Sequence, residues 1–452
     1  MEVERIGGAN LLGRREALVT PMTAKHPKVS LPEPSEKMSI GIFVNSLVPK
    51  GAAQARFQQA VFAGLQKVDA SRYRFTVFTF EIPDDLKNQK NISYVLIEQH
   101  GRLIRTLLFL RSLAAGTLLF TFKLVGRGDG RFRDTLLRLI TYEPRYFKQL
   151  QDCNIRLVWN MNQHELPTPL PYIRTIWDIS HRIHSAYPEY SYTRFGFDGL
   201  DRNMAYSLGR ASYVIVGTEE GKRQLVTIYG VHESKVRVIP FPTPVLENGM
   251  PEGVNKIVLR DPYLFYPARL WPHKNHVVII SALKLLRDKW NIKMRCVFSG
   301  ANEGNLDYVL RYAERLGVRN QVEYVGLVDE GELASLYKGA TALVYASATE
   351  PDNLPPLEAM SLGCPVITAN VPGAQEQYGD AALYFSPTKE EELAERVKEL
   401  LESKGFRERL VTRGRDRAAN WTVEDYAKKV LSILDEFAAI ARCWERCDSL
   451  FT

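Results

Sequence analysis

The sequence predicts two doubly wound α/β domains facing each other across a cleft. Three observations lead there. Short β-branched, apolar runs alternate with helix-length amphipathic segments; the alternation runs through the chain twice; and a proline-rich join, residues 241–253, separates the two passes. A length of 452 residues exceeds one ordinary domain and allows two sizeable cores. A composition of 45% hydrophobic, 25% charged and 10% aromatic residues excludes a fibrous or mostly disordered chain.

Residues 1–37 show no sustained period and read as an extension. The first domain, expected over 38–245, opens with a buried-type strand at 39–45. A glycine turn and an amphipathic helix over 56–68 follow, then strands at 74–80, 155–160, 172–178, 212–217 and 236–240. The second domain, expected over 246–420, repeats the pattern with strands at 263–267, 294–300, 322–326, 342–346 and 365–369. Asp329 followed three residues later by Glu332 reads as a capping box opening a helix. The remainder, 421–452, holds a terminal helix over 423–437, placed to pack back on the first domain. In such folds ligands bind beyond the carboxyl ends of the strands.

The formal net charge is +7 and is unevenly distributed. Residues 1–250 carry 33 Lys+Arg against 23 Asp+Glu, and residues 251–452 carry 26 against 29. The block 101–150 alone has 10 basic and 3 acidic residues. Within it, 103–114 interleaves apolar and basic side chains, which reads either as an interfacial helix on an anionic membrane or as the solvated face of an ordinary helix. Arg111 interrupts the apolar stretch 107–122, so no spanning helix is expected there. No nucleic-acid recognition motif is present, and no nucleic-acid partner is expected. Five scattered cysteines fit a reducing compartment, and the N-terminus has no signal-type apolar core, so a cytoplasmic protein is expected, with a peripheral place on the inner membrane face as the further option. Cys443 and Cys447 lack companion ligands for a metal site.

Two clusters carry chemistry. In 349–367, Glu350 follows a strand, Asn353 and Leu354 lie in the turn after it, and Glu358 lies early in the next helix. A helix N-terminus behind such a turn offers amide donors to an anion, and a carboxylate beside it can accept sugar hydroxyls. In 266–275, Arg269 and Lys274 follow the first strand of the second domain, where two cations can neutralise a diphosphate, one as a fork and one as a point charge. Read by spacing alone, each cluster could equally be local pairing on a solvated loop.

Together these clusters make the second half resemble the C-terminal domain of a family 4 retaining glycosyltransferase with the GT-B fold, nearly colinear over 258–402. The resemblance implies that Arg269 and Lys274 hold the diphosphate of a nucleotide sugar, that Glu358 binds the ribose hydroxyls and that Glu350 contacts the donor sugar. Asn353 and Leu354 would contribute to donor binding through their turn, although GluProAspAsn stands here where many relatives have GluGlyPheGly. The first half resembles the family's acceptor domain more loosely. The segment 176–190 is similar to its His-Asp-Leu-x-His…Tyr-Pro-Glu stretch, with Trp177 in place of the leading His and with Asp178 and His181 retained as cleft residues. His184 reads as structural. Gly51 lies where relatives have a glycine-rich loop near the donor phosphates.

The resemblance therefore implies transfer of a sugar from a nucleotide-diphosphate sugar to a hydroxyl of a glycan or lipid-linked acceptor, with retention. Leaving-group stabilisation would fall to Arg269 and Lys274. No Asp-x-Asp occurs in the chain, so a mechanism without metal or other cofactor is expected. The alternatives weighed are a non-catalytic nucleotide-sugar binder and a GT-B-type sugar-nucleotide epimerase.

Overall fold

The structure is a computed structural model that describes residues 37–44, 53–82, 92–97, 144–162, 168–191, 196–244, 246 and 262–444. All of them lie within one compact unit, Lys37–Thr452. The extension through residue 36, Gly51, the greater part of the basic block (101–143), the C-terminal part of the join (247–253) and Cys447 lie outside the described residues.

Among the described residues, thirteen strands form two fully parallel sheets. The first contains β1 (Met38–Phe43), β2 (Tyr73–Thr79), β3 (Ile92–Leu96), β4 (Leu157–Asn160), β5 (Tyr172–Thr175), β6 (Tyr213–Val216) and β7 (Val236–Val238), in the order β3-β2-β1-β4-β5-β6-β7. The second contains β8 (Tyr263–Pro267), β9 (Arg295–Ser299), β10 (Val322–Gly326), β11 (Ala342–Tyr345), β12 (Val366–Ala369) and β13 (Leu383–Phe385), ordered β10-β9-β8-β11-β12-β13. These are two doubly wound sheets, each reversing direction beside its first strand, and the sequence reading of the fold class holds. Central strands such as β4 and β11 are buried on both faces, which explains their continuous apolar character. The sequence reading omitted β3 and β13. Both are edge strands with partly exposed side chains, so neither carries a long apolar run. The capping box at Asp329 and Glu332 forms as read and opens the helix Glu330–Gly339.

The terminal helix Val423–Ala441 begins at a second capping box, Thr422 with Asp425. Its buried residues Tyr426, Ala427, Val430, Leu431, Leu434 and Phe437 recur at helical spacing and join the core of the first sheet, with Ile40, Phe57, Val61 and Trp159. The chain thus crosses back after completing the second sheet. Ion pairs Lys67–Glu424 (2.8 Å) and Arg237–Glu436 (3.0 Å) line the return. Gly64, in the helix Ala53–Lys67, permits it: a Cβ there would stand 2.4 Å from the Val423 carbonyl oxygen.

Candidate functional site

In the second sheet the winding reverses between β8 and β11, which pair directly. The loops after those two strands therefore lie side by side at the switch point, where α/β sheets bind ligands. This brings together the two clusters singled out in the sequence. Lys274 Nζ donates to Glu350 Oε2, and the Ser347 hydroxyl donates to the same oxygen at 2.9 Å. Glu350 itself has φ 71, the left-handed region that side-chain-bearing residues rarely occupy, so its surroundings hold it there. Burial alone would push the Glu350 carboxyl up. Lys274 and His273 outweigh burial and hold it well below the usual carboxylate range.

Asn353 is fully engaged in supporting this turn. Its side-chain oxygen accepts from the Tyr345 hydroxyl at 2.6 Å, its side-chain nitrogen donates to the Glu350 carbonyl at 3.0 Å, and its backbone N–H donates to Gln377 at 3.0 Å. The following helix, Leu354–Ser361, carries Pro355 and Pro356 in its first turn. Neither has an N–H, and Asn353's is taken, so the amide cradle expected from this helix N-terminus is much reduced. Leu354 is buried with the first-domain core rather than left free at a ligand surface.

Glu358 is fully buried. It accepts from Arg56 Nε at 2.9 Å, from Arg56 Nη2 at 3.2 Å and from the Tyr337 hydroxyl at 2.9 Å. Arg56 comes from the first domain's helix Ala53–Lys67, and the sequence reading gave it no role. Arg269 does not join Lys274 on a common partner. It is half exposed and pairs with Glu303 at 2.9 Å.

His181 is buried and set apart from this cluster. Its Nε2 meets the Tyr229 hydroxyl at 3.0 Å, with Asp201 at 3.8 Å, and burial lowers its pKa. Asp178 accepts the backbone N–H of Ser180 at 2.8 Å, opening the short helix Ser180–Ile183. Trp177 packs on Phe57 and Phe241.

Further links join the two domains. Glu189 accepts from His273 at both backbone and ring. Glu376 caps the helix Glu219–Tyr229 of the first domain, accepting the N–H of Glu219 at 2.6 Å and of Glu220 at 3.3 Å. Asp352 lies against Gly217 and Thr218, so close that a Cβ on Gly217 would stand 2.2 Å from its Oδ1. Burial, reinforced by Glu376, pushes the Asp352 carboxyl well above its usual range. Of these residues, His273 and Glu189 stood inside quoted motifs, between Arg269 and Lys274 and in the Tyr-Pro-Glu stretch. Among the described residues no group of three or more His, Cys, Asp or Glu side chains is arranged to hold a metal ion, and no helix is long and apolar enough to cross a membrane.

Residues 252–417 match the family described as Glycosyl transferases group 1. The chain is thus similar to glycosyl transferases group 1 over a segment that contains β8 to β13 and every second-sheet residue described above. O-antigen chain mannosyltransferase B of Escherichia coli is 29% identical over 170 residues, covering 38% of this chain and 45% of that protein. O-antigen chain mannosyltransferase RfbU of Salmonella typhimurium is 28% identical over 205 residues, covering 44% and 53%. The chain thus spans about half the length of these curated relatives. Among solved structures, Anabaena Alr3699/HepE in complex with UDP and glucose superposes with TM-score 0.61 at 17% identity, over 88% of this chain and 100% of that one. WaaG, a glycosyltransferase involved in lipopolysaccharide biosynthesis, gives 0.60 at 14%, over 87% and 99%. At such identities the likeness establishes the fold: the group 1-like segment and the first sheet together adopt the GT-B arrangement.

Proposed function

We propose that this chain is a glycosyltransferase that moves a sugar from a nucleotide-diphosphate sugar to a hydroxyl of a glycan or lipid-linked acceptor, with retention and without a metal. The observation that carries the reading is the charge cluster at the β8–β11 switch point, where Lys274 and Glu350 are paired beneath residues of the facing domain. An incoming diphosphate competes for Lys274 with Glu350 and for Arg269 with Glu303. Both cations then stabilise charge growing on the leaving phosphate, which is where electrostatic preorganisation lowers the barrier. Glu350, freed in part, faces the donor sugar. Glu358 receives the ribose hydroxyls beside Arg56, and Asn353 and Leu354 shape the donor turn through the packing described. His181 and Asp178, with Gly51, act from the acceptor side.

The two O-antigen mannosyltransferases support a glycan acceptor, and the UDP complex of HepE supports a nucleotide-linked donor. No observation favours the epimerase or the non-catalytic binder. The basic block 101–150 supports work at an anionic membrane face, which co-sedimentation with and without anionic vesicles tests. The direct test of the transferase reading is nucleotide release from a panel of UDP- and GDP-linked hexoses. Release by the wild type, abolished in Arg269→Ala, is expected; no release from any donor overturns the reading.

A further inference from the structure

Among the described residues, the first domain bonds to the charge cluster of the second through Glu189. Glu189 lies on the short first-domain helix Pro188–Ser191, and its Oε1 accepts from the backbone N–H of His273 at 2.9 Å and from the His273 ring Nδ1 at 2.5 Å. Two bonds to one oxygen fix the loop and the imidazole together. With Nδ1 committed, the ring presents only Nε2, which lies 3.6 Å from Glu350 Oε1 and has no hydrogen-bond partner. The ring cannot swing away. Tyr190 stacks on it at 5.6 Å and 22°, and Tyr187 meets it edge-on at 6.2 Å. Glu350 Oε2, meanwhile, belongs to Lys274 and Ser347. The carboxylate is thus held through Oε2 by Lys274 and Ser347, with the His273 ring facing Oε1, in a backbone conformation that needs holding.

We propose that Glu189 is a positioning residue for this site: acting through His273, it fixes Glu350 Oε1 where the donor sugar meets it, and it makes that geometry depend on contact between the two domains. The inference rests on the transferase reading above. When the domains part, His273 loses both anchors and Glu350 loses the ring held beside its Oε1.

The groups facing His273 are Glu189, Tyr187, Tyr190 and His184 from the first domain, Glu350 from the loop after β11, and Lys274 on its own loop. Burial alone would lower the His273 pKa; Glu189 and Glu350 outweigh burial and Lys274, so the ring holds its proton more firmly than a free histidine. Its proton is what keeps the ring between two carboxylates. Removing the charge of Glu189 weakens that hold.

The test compares full-length wild type with Glu189→Gln and Glu189→Asp. The expected result has two parts. By NMR, the His273 ring, assigned with His273→Gln, titrates at lower pH in Glu189→Gln than in the wild type. In kinetics, kcat falls by up to about a hundredfold, as misplacement of a group at the reacting centre predicts, and the alkaline limb of donor kcat/KM moves to lower pH. Glu189→Asp, which restores the charge, returns the limb toward the wild-type position even where kcat stays reduced. A uniform loss at every pH with an unmoved His273 midpoint makes Glu189 a structural contact and overturns the proposal. The same holds if Glu189→Asp shifts the limb as far as Glu189→Gln. No turnover by the wild type overturns the transferase reading itself; normal wild-type turnover with an unmoved limb overturns only the role of Glu189.

Discussion

Arg56 and Glu358, 302 residues apart in sequence, meet in a buried fork, with Nε 2.9 Å from Oε1 and Nη2 3.2 Å from Oε2. Each comes from a different domain. The planar guanidinium matches the carboxylate as an ammonium could not, and the Tyr337 hydroxyl supplies a third bond at 2.9 Å. A carboxylate has about four acceptor positions, so Glu358 keeps room for one further donor. The ion pair is therefore a clasp between domains and a constraint on any ligand that uses Glu358.

Breaking the clasp from one side should be costly, because it strands a fully buried carboxylate. Arg56→Ala is expected to lose about 3–5 kcal/mol, seen as a lower melting temperature in calorimetry. Arg56→Lys keeps the charge and loses the fork, and should fall between. An Arg56→Ala protein that melts with the wild type would show that the pair contributes nothing.

Glu350 at φ 71 offers a separation of stability from activity. A left-handed residue with a side chain costs about 1–2 kcal/mol, offset in part by the flexibility that glycine brings to the unfolded chain. Glu350→Gly should therefore be more stable than Glu350→Ala, by up to about 1 kcal/mol. Both should lose donor turnover. Thermal melting decides, and a more stable alanine variant would rule the strain out.

Asp352 predicts a pH dependence. Its folded pKa is raised by burial and by Glu376, so the folded state holds a proton that the unfolded chain releases in the ordinary carboxyl range. Stability contributed by that proton is present below the unfolded pKa and declines as pH rises through the window up to the folded value. Asp352→Asn removes the titration. Its melting temperature should exceed that of the wild type at neutral pH, and the difference should shrink as pH falls toward the unfolded pKa. A constant difference across that window would contradict the assignment.

Gly64 sits mid-helix, where alanine would ordinarily gain about 1 kcal/mol in propensity. Here the Cβ would press on the Val423 carbonyl at the start of the returning helix. Gly64→Ala should instead destabilise by about 1–3 kcal/mol, detectable by melting. A stabilised variant would show that the terminal helix shifts freely.

Much of the scaffold was legible before any coordinates. Strands β1, β4, β6, β8 and β11 announce themselves because both their faces are buried, and the cap at Asp329 because side-chain chemistry opens that helix locally. The edge strands β3 and β13 were not legible, since an edge needs few buried side chains. The site was half legible. Lys274, Glu350 and Glu358 stood out by their place after strands, but the partners of Glu358 and His273 did not. Arg56 looks like any surface arginine in sequence, and Glu189, although inside the Tyr-Pro-Glu stretch, carries no local sign of its pairing with His273. The proline pair 355–356 shows the reverse case: the residues were visible, and their effect on the helix amides follows from the missing N–H alone.

The uneven charge, the two passes of βα units and the positions of Arg269, Lys274, Glu350 and Glu358 are properties of the sequence by itself, because periodicity and turn chemistry act over a few residues. Tertiary structure alone decided the pairings: Lys274 with Glu350, Arg269 with Glu303, Arg56 with Glu358, and Glu189 with His273. Winding order sets which loops become neighbours at the switch point, and domain contact sets which charges are buried together. Neither leaves a local trace in the chain, so the same four carboxylates and their partners acquire their meaning only once the two sheets face each other.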